Sequence, residues 1–385
     1  MSFRRAARAA LAARSRACWM LVVVTIVLAG FSASCGNSSH SPSSSASHNA
    51  YVTLPDKGEV ALLHVNDSTG VISLGPATPQ VLGTSPTGIA IDPGKKFLYV
   101  GNVDSSAHSV SIYNITSDGT LTQTLPDVIF PAGITPRALA IDASGKYLLI
   151  TTNFAGQNLL VFSLNGGSGA PTQIGAYTAN SSPNNLTISP SSNFVYVANE
   201  DVSLITAFSL DSATGNLSPI PGSPFPAGEG VAGMAADPGS HFLYAANHTS
   251  NTVSAYTIDP NTGALKEIPD SPYPVGTASG PRAIATDTTG TFLYVANQGS
   301  SNVLAFMITA GTGQLTAINS GTPYATGTSP VFILAEPAGK YLYVGNQTST
   351  NITGFSYDPV TGKLTAITGS PFTVGSAPGG LEITH

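Results

Sequence analysis

Five segments of this chain are near copies of one another: FLYVGN at 97–102, FVYVAN at 194–199, FLYAAN at 242–247, FLYVAN at 292–297 and YLYVGN at 341–346. YLLITTN at 147–153 is a degenerate copy, and AYVTL, starting at Ala50, is another. The equivalent positions are Tyr51, Tyr99, Leu149, Tyr196, Tyr244, Tyr294 and Tyr343, separated by 48, 50, 47, 48, 50 and 49 residues. So constant a step means that one supersecondary unit is stacked on itself seven times.

Within each copy the segments are too short for helices and rich in β-branched and aromatic residues, and four strands fit. The first follows a proline, as in PTGIAID, PRALAID and PRAIATD; the second is the FLYVAN segment; the third resembles SNTVSAYTI; the fourth is LTAI or LKEI. DPGK (92–95), DPGS (237–240) and EPAG (336–339) separate the first two strands and suit a type I turn, with an acid first and Pro second. DSTG (67–70), DPNTG (259–263) and DPVTG (358–362) separate the last two, and their glycine supplies a positive φ where the chain re-enters the sheet.

A four-stranded antiparallel unit repeated seven times predicts an all-β chain, a seven-bladed β-propeller closed into a ring. The repeats begin at Tyr51 with a second strand and end at PGGLEITH, which aligns with the first strands. The C-terminal strand is therefore expected to join the N-terminal strands in one blade. The repeated Phe, Leu and Tyr read as packing between blades. The Asn closing each second strand, as at Asn102, Asn153, Asn199, Asn247, Asn297 and Asn346, reads as a turn residue bonding nearby backbone. SPFPAG, SPYPVG and SPFTVG read as stiff connectors between blades.

Ahead of the repeats stand Arg4, Arg5, Arg8, Arg14 and Arg16 with no acid, then an apolar run from Trp19 to Phe31. This is the layout of a secretory signal peptide over residues 1–35. The run is shorter than the roughly 20 residues a membrane-spanning helix needs, so a permanent membrane helix is the lesser alternative. FSASCGNSS resembles the lipobox of bacterial lipoproteins, which would place a lipid on Cys35, although Ser32 stands where that motif usually has Leu. Ordinary cleavage beside an incidental cysteine is the alternative. Residues 36–50 read as a Ser-rich tether and 51–385 as the propeller. The expected location is exported, periplasmic or on the outer surface, attached to the membrane only through Cys35.

Only 9% of residues are charged, against roughly 25% in an ordinary soluble chain. Without the leader the chain holds nine Lys plus Arg against twenty Asp plus Glu, a net charge of −11 that disfavours nucleic acid and other polyanions. Cys18 and Cys35 are the only cysteines, which leaves the repeats no disulfide framework. No HExxH, EF-hand, GxSxG or phosphate-loop pattern is present, so neither a metal nor a cofactor is expected.

With the repeats aligned, the chain resembles the lactonase-like seven-bladed propellers, which include 6-phosphogluconolactonase, muconate-lactonising enzyme and the YVTN-repeat surface proteins. The resemblance covers residues 51–385 and speaks to scaffold more than to reaction. In the enzymes of that family, a GPRH segment opens one inner strand and a glutamate follows sixteen residues after its arginine. One strand down and the next back up return the chain to the same face, so the two side chains meet at the channel mouth. Gly280, Pro281 and Arg282 match the start of the motif, but Ala283 replaces its histidine and Gln298 its glutamate. Arg137 occupies the same repeat phase with Asn153 sixteen residues on, while Glu200 has the right phase but Asn184 in place of its arginine.

No blade carries the whole set, which leaves a site assembled across blades. Arg137 and Arg282 are expected three blades apart, nearly opposite, with Glu200, Asp201, Glu229, Asp104 and His248 on the same face. They would grip an anionic ligand from two sides; alternatively, each arginine anchors a neighbouring loop through a carbonyl or a carboxylate such as Glu200 or Glu229. The candidate ligand residues are Arg137, Arg282, Glu200, His248 and Gln298, with Glu200 the candidate for proton transfer. The expectation is a monomeric, non-catalytic binding scaffold of the cell envelope, its partner a small anionic molecule, a glycan or an envelope protein. The alternative is a lactonase acting on a sugar lactone or related ester.

Overall fold

The computed structural model describes residues 47–75, 85–103 and 108–384. Cys35, the leader and Asp104 lie outside the described residues. Seven antiparallel sheets follow one another, and each inner strand lies against the inner strands of the neighbouring sheets, so the sheets close into a ring around a central channel. Blade 1 consists of strands Ser47–Leu54, Glu59–Asn66 and Ile72–Leu74 with Leu381–Ile383 on its inner edge. Tyr51 pairs with Glu382 in that sheet, so the two ends of the repeat region share a blade as expected. Blades 2 to 7 begin with the inner strands Pro86–Ile91, Pro136–Ile141, Pro183–Ile188, Val231–Ala236, Pro281–Thr286 and Pro330–Ala335.

Three expectations change in detail. The first strand begins at Ser47, four residues before Tyr51, because Ser47 to Ala50 extend it and pair as far as Ser47 with Asn66. The segments read as connectors between blades belong to the blades: Phe225–Pro226, Tyr273–Pro274 and Phe372–Thr373 each pair with the third strand of their own sheet. Five blades carry such a two-residue fifth strand. The third strand is seven residues long and the fourth only three, as in Asn302–Ile308 beside Leu315–Ala317, so its free half takes up the returning chain.

The repeated residues explain how the blades hold together. The second strands are buried on both faces, as the inner layer of a stack of sheets must be. The tyrosine of each full repeat reaches into the next blade and donates its hydroxyl to the glycine carbonyl of that blade's last hairpin. The contacts are Tyr51 to Gly119, Tyr99 to Gly169, Tyr196 to Gly263, Tyr244 to Gly313, Tyr294 to Gly362 and Tyr343 to Gly70, at 2.7 to 3.1 Å. The last closes the ring between blades 7 and 1. Leu149 breaks the series, and Tyr147 bonds the Ser212 carbonyl instead, at 3.4 Å. The accepting glycines have positive φ and, except for Gly119, which meets Asn49, rest on the preceding blade's aromatic ring: a Cβ on Gly263 would come within 2.3 Å of Phe194.

The turn aspartates behave as read, whereas the strand-end asparagines are structural but bond chiefly side chains of the third strand, with nearby backbone as a second partner in Asn199, Asn297 and Asn346. In blades 2, 3, 5 and 6, the turn aspartates Asp92, Asp142, Asp237 and Asp287 each accept the backbone N–H that opens the second strand. Asn102, Asn199, Asn247, Asn297 and Asn346 are buried and bond hydroxyl or amide side chains of the adjacent third strand. Asn153 instead accepts the Thr135 N–H.

Candidate ligand site at the channel mouth

Each inner strand of blades 2 to 7 starts with an irregularity in its pairing. In blade 6, Pro281 pairs with Asn297 and Ala283 with Ala296, which leaves Arg282 as the extra residue of a β-bulge. The same shift leaves Asn184 extra in blade 4 and Ala232 in blade 5, and it falls at Arg137–Ala138 in blade 3. A bulge turns its extra side chain out of the ladder. Here it turns six equivalent strand starts into a rim around one open cavity of about 770 Å³, whose wall includes Arg137, Asn184, Arg282 and Gln298.

Across this rim the charges pair over a whole blade. Arg282 Nη1, on blade 6, donates to Glu200 Oε1, on blade 4, at 3.0 Å. The other carboxylate oxygen, Oε2, accepts from Asn184 Nδ2 at 2.6 Å, sixteen residues back in the same blade. That second bond is the down-and-up geometry expected of a sixteen-residue spacing, made here with an amide in place of an arginine. Blade 5 puts only Ala232 and Gly233 in the way. A Cβ on Gly233 would stand 2.6 Å from the Arg282 carbonyl, so the absence of a side chain lets the two inner strands approach.

The two arginines thus differ. Arg282 and Glu200 are both about 30% exposed and engaged with each other, whereas Arg137 is exposed and has no hydrogen bond or ion pair among the described residues. Of the two readings of the arginines, Arg282 follows the anchoring one and holds Glu200, while Arg137 is unengaged among the described residues. Gln298 lines the cavity and donates to Ser329 Oγ at 3.2 Å. Neither His248 nor Glu200 is itself a wall residue: His248 Nε2 lies near Gly280, and Glu200 reaches the wall through Asn184 and Arg282. Asp201 accepts from the Ser182 hydroxyl, and Glu229 enters through its carbonyl, which caps Thr249 and Ser250.

One wall residue was missed from the sequence. Glu382, on the closing strand, lines the same cavity, and burial pushes its carboxyl up to about 7. Setting PGGLEITH under PRAIATD would have shown it, since Glu382 then falls on Ala285.

Comparison with known proteins agrees with the architecture. The family described as "Lactonase, 7-bladed beta-propeller" matches residues 40–184, 122–232, 218–332 and 321–377. No curated protein sequence matches the chain. Among solved structures, a Lactobacillus plantarum protein superposes with a TM-score of 0.74 at 20% identity, covering 88% of this chain and 100% of that one. A candidate 6-phosphogluconolactonase from Bacteroides fragilis gives 0.75 at 21%, covering 90% and 99%. The periplasmic gluconolactonase of Pseudomonas aeruginosa gives 0.73 at 17%, covering 88% and 99%. By these matches along nearly all of its repeats, the chain belongs to the lactonase family of seven-bladed β-propellers.

Proposed function

We propose that this protein opens a lactone or related ester of a small, anionic, sugar-like molecule at the channel mouth. The observation that carries the reading is the Arg282 to Glu200 contact, which holds a carboxylate against Asn184 and Arg282 in the wall of a cavity large enough for such a ligand. Glu200 accepts from Arg282 through one oxygen and Asn184 through the other, which leaves lone pairs on each for a water molecule. It takes the proton as that water attacks the carbonyl carbon, and the Arg282 guanidinium stabilises the negative charge that develops on the carbonyl oxygen. Arg137, free and one blade from Glu200 but three from Arg282, grips the carboxylate or phosphate of the substrate.

Family membership and the likeness in fold to gluconolactonases support this hydrolytic reading better than the purely non-catalytic scaffold first expected. Export belongs to the proposal: the Arg-rich, apolar leader and Cys35 suit a periplasmic or surface enzyme tethered by lipid, acting as a monomer on a ligand from outside the cytoplasm. The test is a panel of aldonolactones and simple δ-lactones incubated with the purified protein and with Glu200→Gln. Ring opening above the spontaneous rate that is lost in the variant supports the reading. If no lactone opens faster than in buffer, while D-gluconate still raises the thermal midpoint and Arg137→Ala abolishes the rise, the protein is a binding module instead.

A further inference from the structure

One level of the channel carries the same structural position seven times. The inner-strand residue paired with the repeat tyrosine, or with Leu149, is Ala90, Ala140, Thr187, Ala235, Ala285 and Leu334 in blades 2 to 7. In blade 1 it is Glu382, paired with Tyr51. Six neutral side chains and one carboxylic acid therefore ring the channel at this height, three residues, or on the order of 10 Å, further along the strand than Arg282.

Nothing in the construction of the blade asks for an acid there. Tyr51 spends its hydroxyl on Gly119. The Glu382 carboxyl makes no hydrogen bond or ion pair among the described residues, yet it lines the cavity that Arg137 and Arg282 line nearer the mouth. An ionisable group in an apolar wall, without a partner, costs stability unless it is used.

The surroundings keep it neutral. The inner strands on either side, Pro86–Ile91 and Pro330–Ala335, hold no ionisable side chain. Asp92 and Glu336, which follow them, belong to turns at the end of the channel away from Arg282, Asp92 binding its own turn and Glu336 facing His48. On the paired strand, His48 is held by Asp67 at 2.7 Å, and Tyr51 is neutral. The only charges facing Glu382 across the cavity among the described wall residues are the guanidinium groups of Arg137 and Arg282. Desolvation by burial raises its carboxyl to about 7, so a large fraction carries its proton at neutral pH.

We propose that Glu382 is the general acid of this cavity, giving its proton to the ring oxygen that departs when the lactone opens. The inference rests on the hydrolytic reading above. Water adds its oxygen to the carbonyl carbon and gives a proton to Glu200. The bond from that carbon to the ring oxygen breaks, its electron pair stays on the ring oxygen, and that oxygen takes the proton of Glu382. The product is the hydroxy acid, and solvent returns the proton from Glu200 to Glu382. The two carboxyls stand at different depths and on blades three apart.

The experiment is the pH–rate profile of the full chain on the lactone it opens best, for wild type, Glu382→Gln and Glu382→Ala, with circular dichroism to check folding. Alongside it, carbon-13 NMR of protein labelled at the glutamate carboxyls, wild type against Glu382→Gln, reads the protonation of Glu382 directly. Wild-type kcat/KM is expected to fall about tenfold per pH unit above about 7, and Glu382→Gln to be about 100-fold slower at pH 6 with that limb gone. An active wild type whose Glu382→Gln variant keeps both rate and limb overturns this inference and leaves the hydrolase reading standing. A wild type that opens no lactone overturns both. A Glu382 resonance titrating below pH 5.5 overturns the assignment whatever the rates show.

Discussion

Arg282 and Glu200 lie 82 residues apart in sequence, on blades separated by a third, and meet at 3.0 Å. The pair joins the two requirements of the proposed chemistry, a positioned carboxylate and a cation for developing charge. Glu200→Gln keeps the shape and the Asn184 contact but removes the base. Lactone hydrolysis should fall by about 10² to 10⁴-fold. The thermal midpoint should change little, because a partly exposed ion pair contributes only about 1 kcal/mol or less. Steady-state kinetics beside a melting curve checks both halves.

Arg137 should act on binding rather than on the chemical step. It has no partner among the described residues to hold it in place, and it stands on the cavity wall one blade from Glu200 and three from Arg282. Arg137→Ala is expected to raise KM for an anionic lactone by about tenfold or more, with kcat within a few-fold of wild type. An uncharged δ-lactone should show no such change, and comparing the two substrates tests the role of charge.

The hairpin glycines separate backbone conformation from close packing. Gly263 has φ of +73° and no room for a Cβ beside the Phe194 ring, whereas Gly276 has φ of +65° and nothing within 4 Å. Gly276→Ala should cost about 1 kcal/mol for the left-handed backbone alone. Gly263→Ala should cost a further 1 to 3 kcal/mol from overpacking. Chemical denaturation of the two variants, in parallel, measures the difference.

Tyr343 closes the ring by donating to Gly70 at 2.8 Å, a bond between residues 273 apart. Tyr343→Phe leaves the Gly70 carbonyl without its buried donor and should destabilise the protein by about 1 to 2 kcal/mol, read from the urea midpoint.

Glu382 also sets a pH dependence of stability. Its folded-state pKa, about 7, lies above its ordinary value of 4.5, so between these values the unfolded chain has already lost a proton that the folded chain retains. This group's contribution to stability therefore falls as pH rises from about 4.5 to about 7 and is constant above. Glu382→Gln removes that loss. The variant should match wild type near pH 4 and exceed it by about 2 kcal/mol at pH 8, less than the full shift allows because the cavity opens to water. Denaturation curves at the two pH values decide it.

The blade count, the strand order, the turns and the closure by the C-terminal strand were all legible in the sequence. They rest on periodic patterns and local turn chemistry, which the covalent chain repeats every 47 to 50 residues from Tyr51 to Tyr343. The candidate site was legible only in part. Arg282, Glu200, Arg137 and Gln298 could be placed at the mouth by their phase, because phase in a repeat sets height and face. Which of them touch could not, because the Arg282 to Glu200 contact depends on the curvature of the ring, on a bulge that turns Arg282 inward and on a missing side chain in the blade between. His248 shares their face but lies outside the wall, since a phase does not state how far from the axis a side chain ends. The Glu382 carboxyl follows the same logic: the sequence placed its strand, but only the packed channel removes the water that would otherwise keep it an ordinary acid.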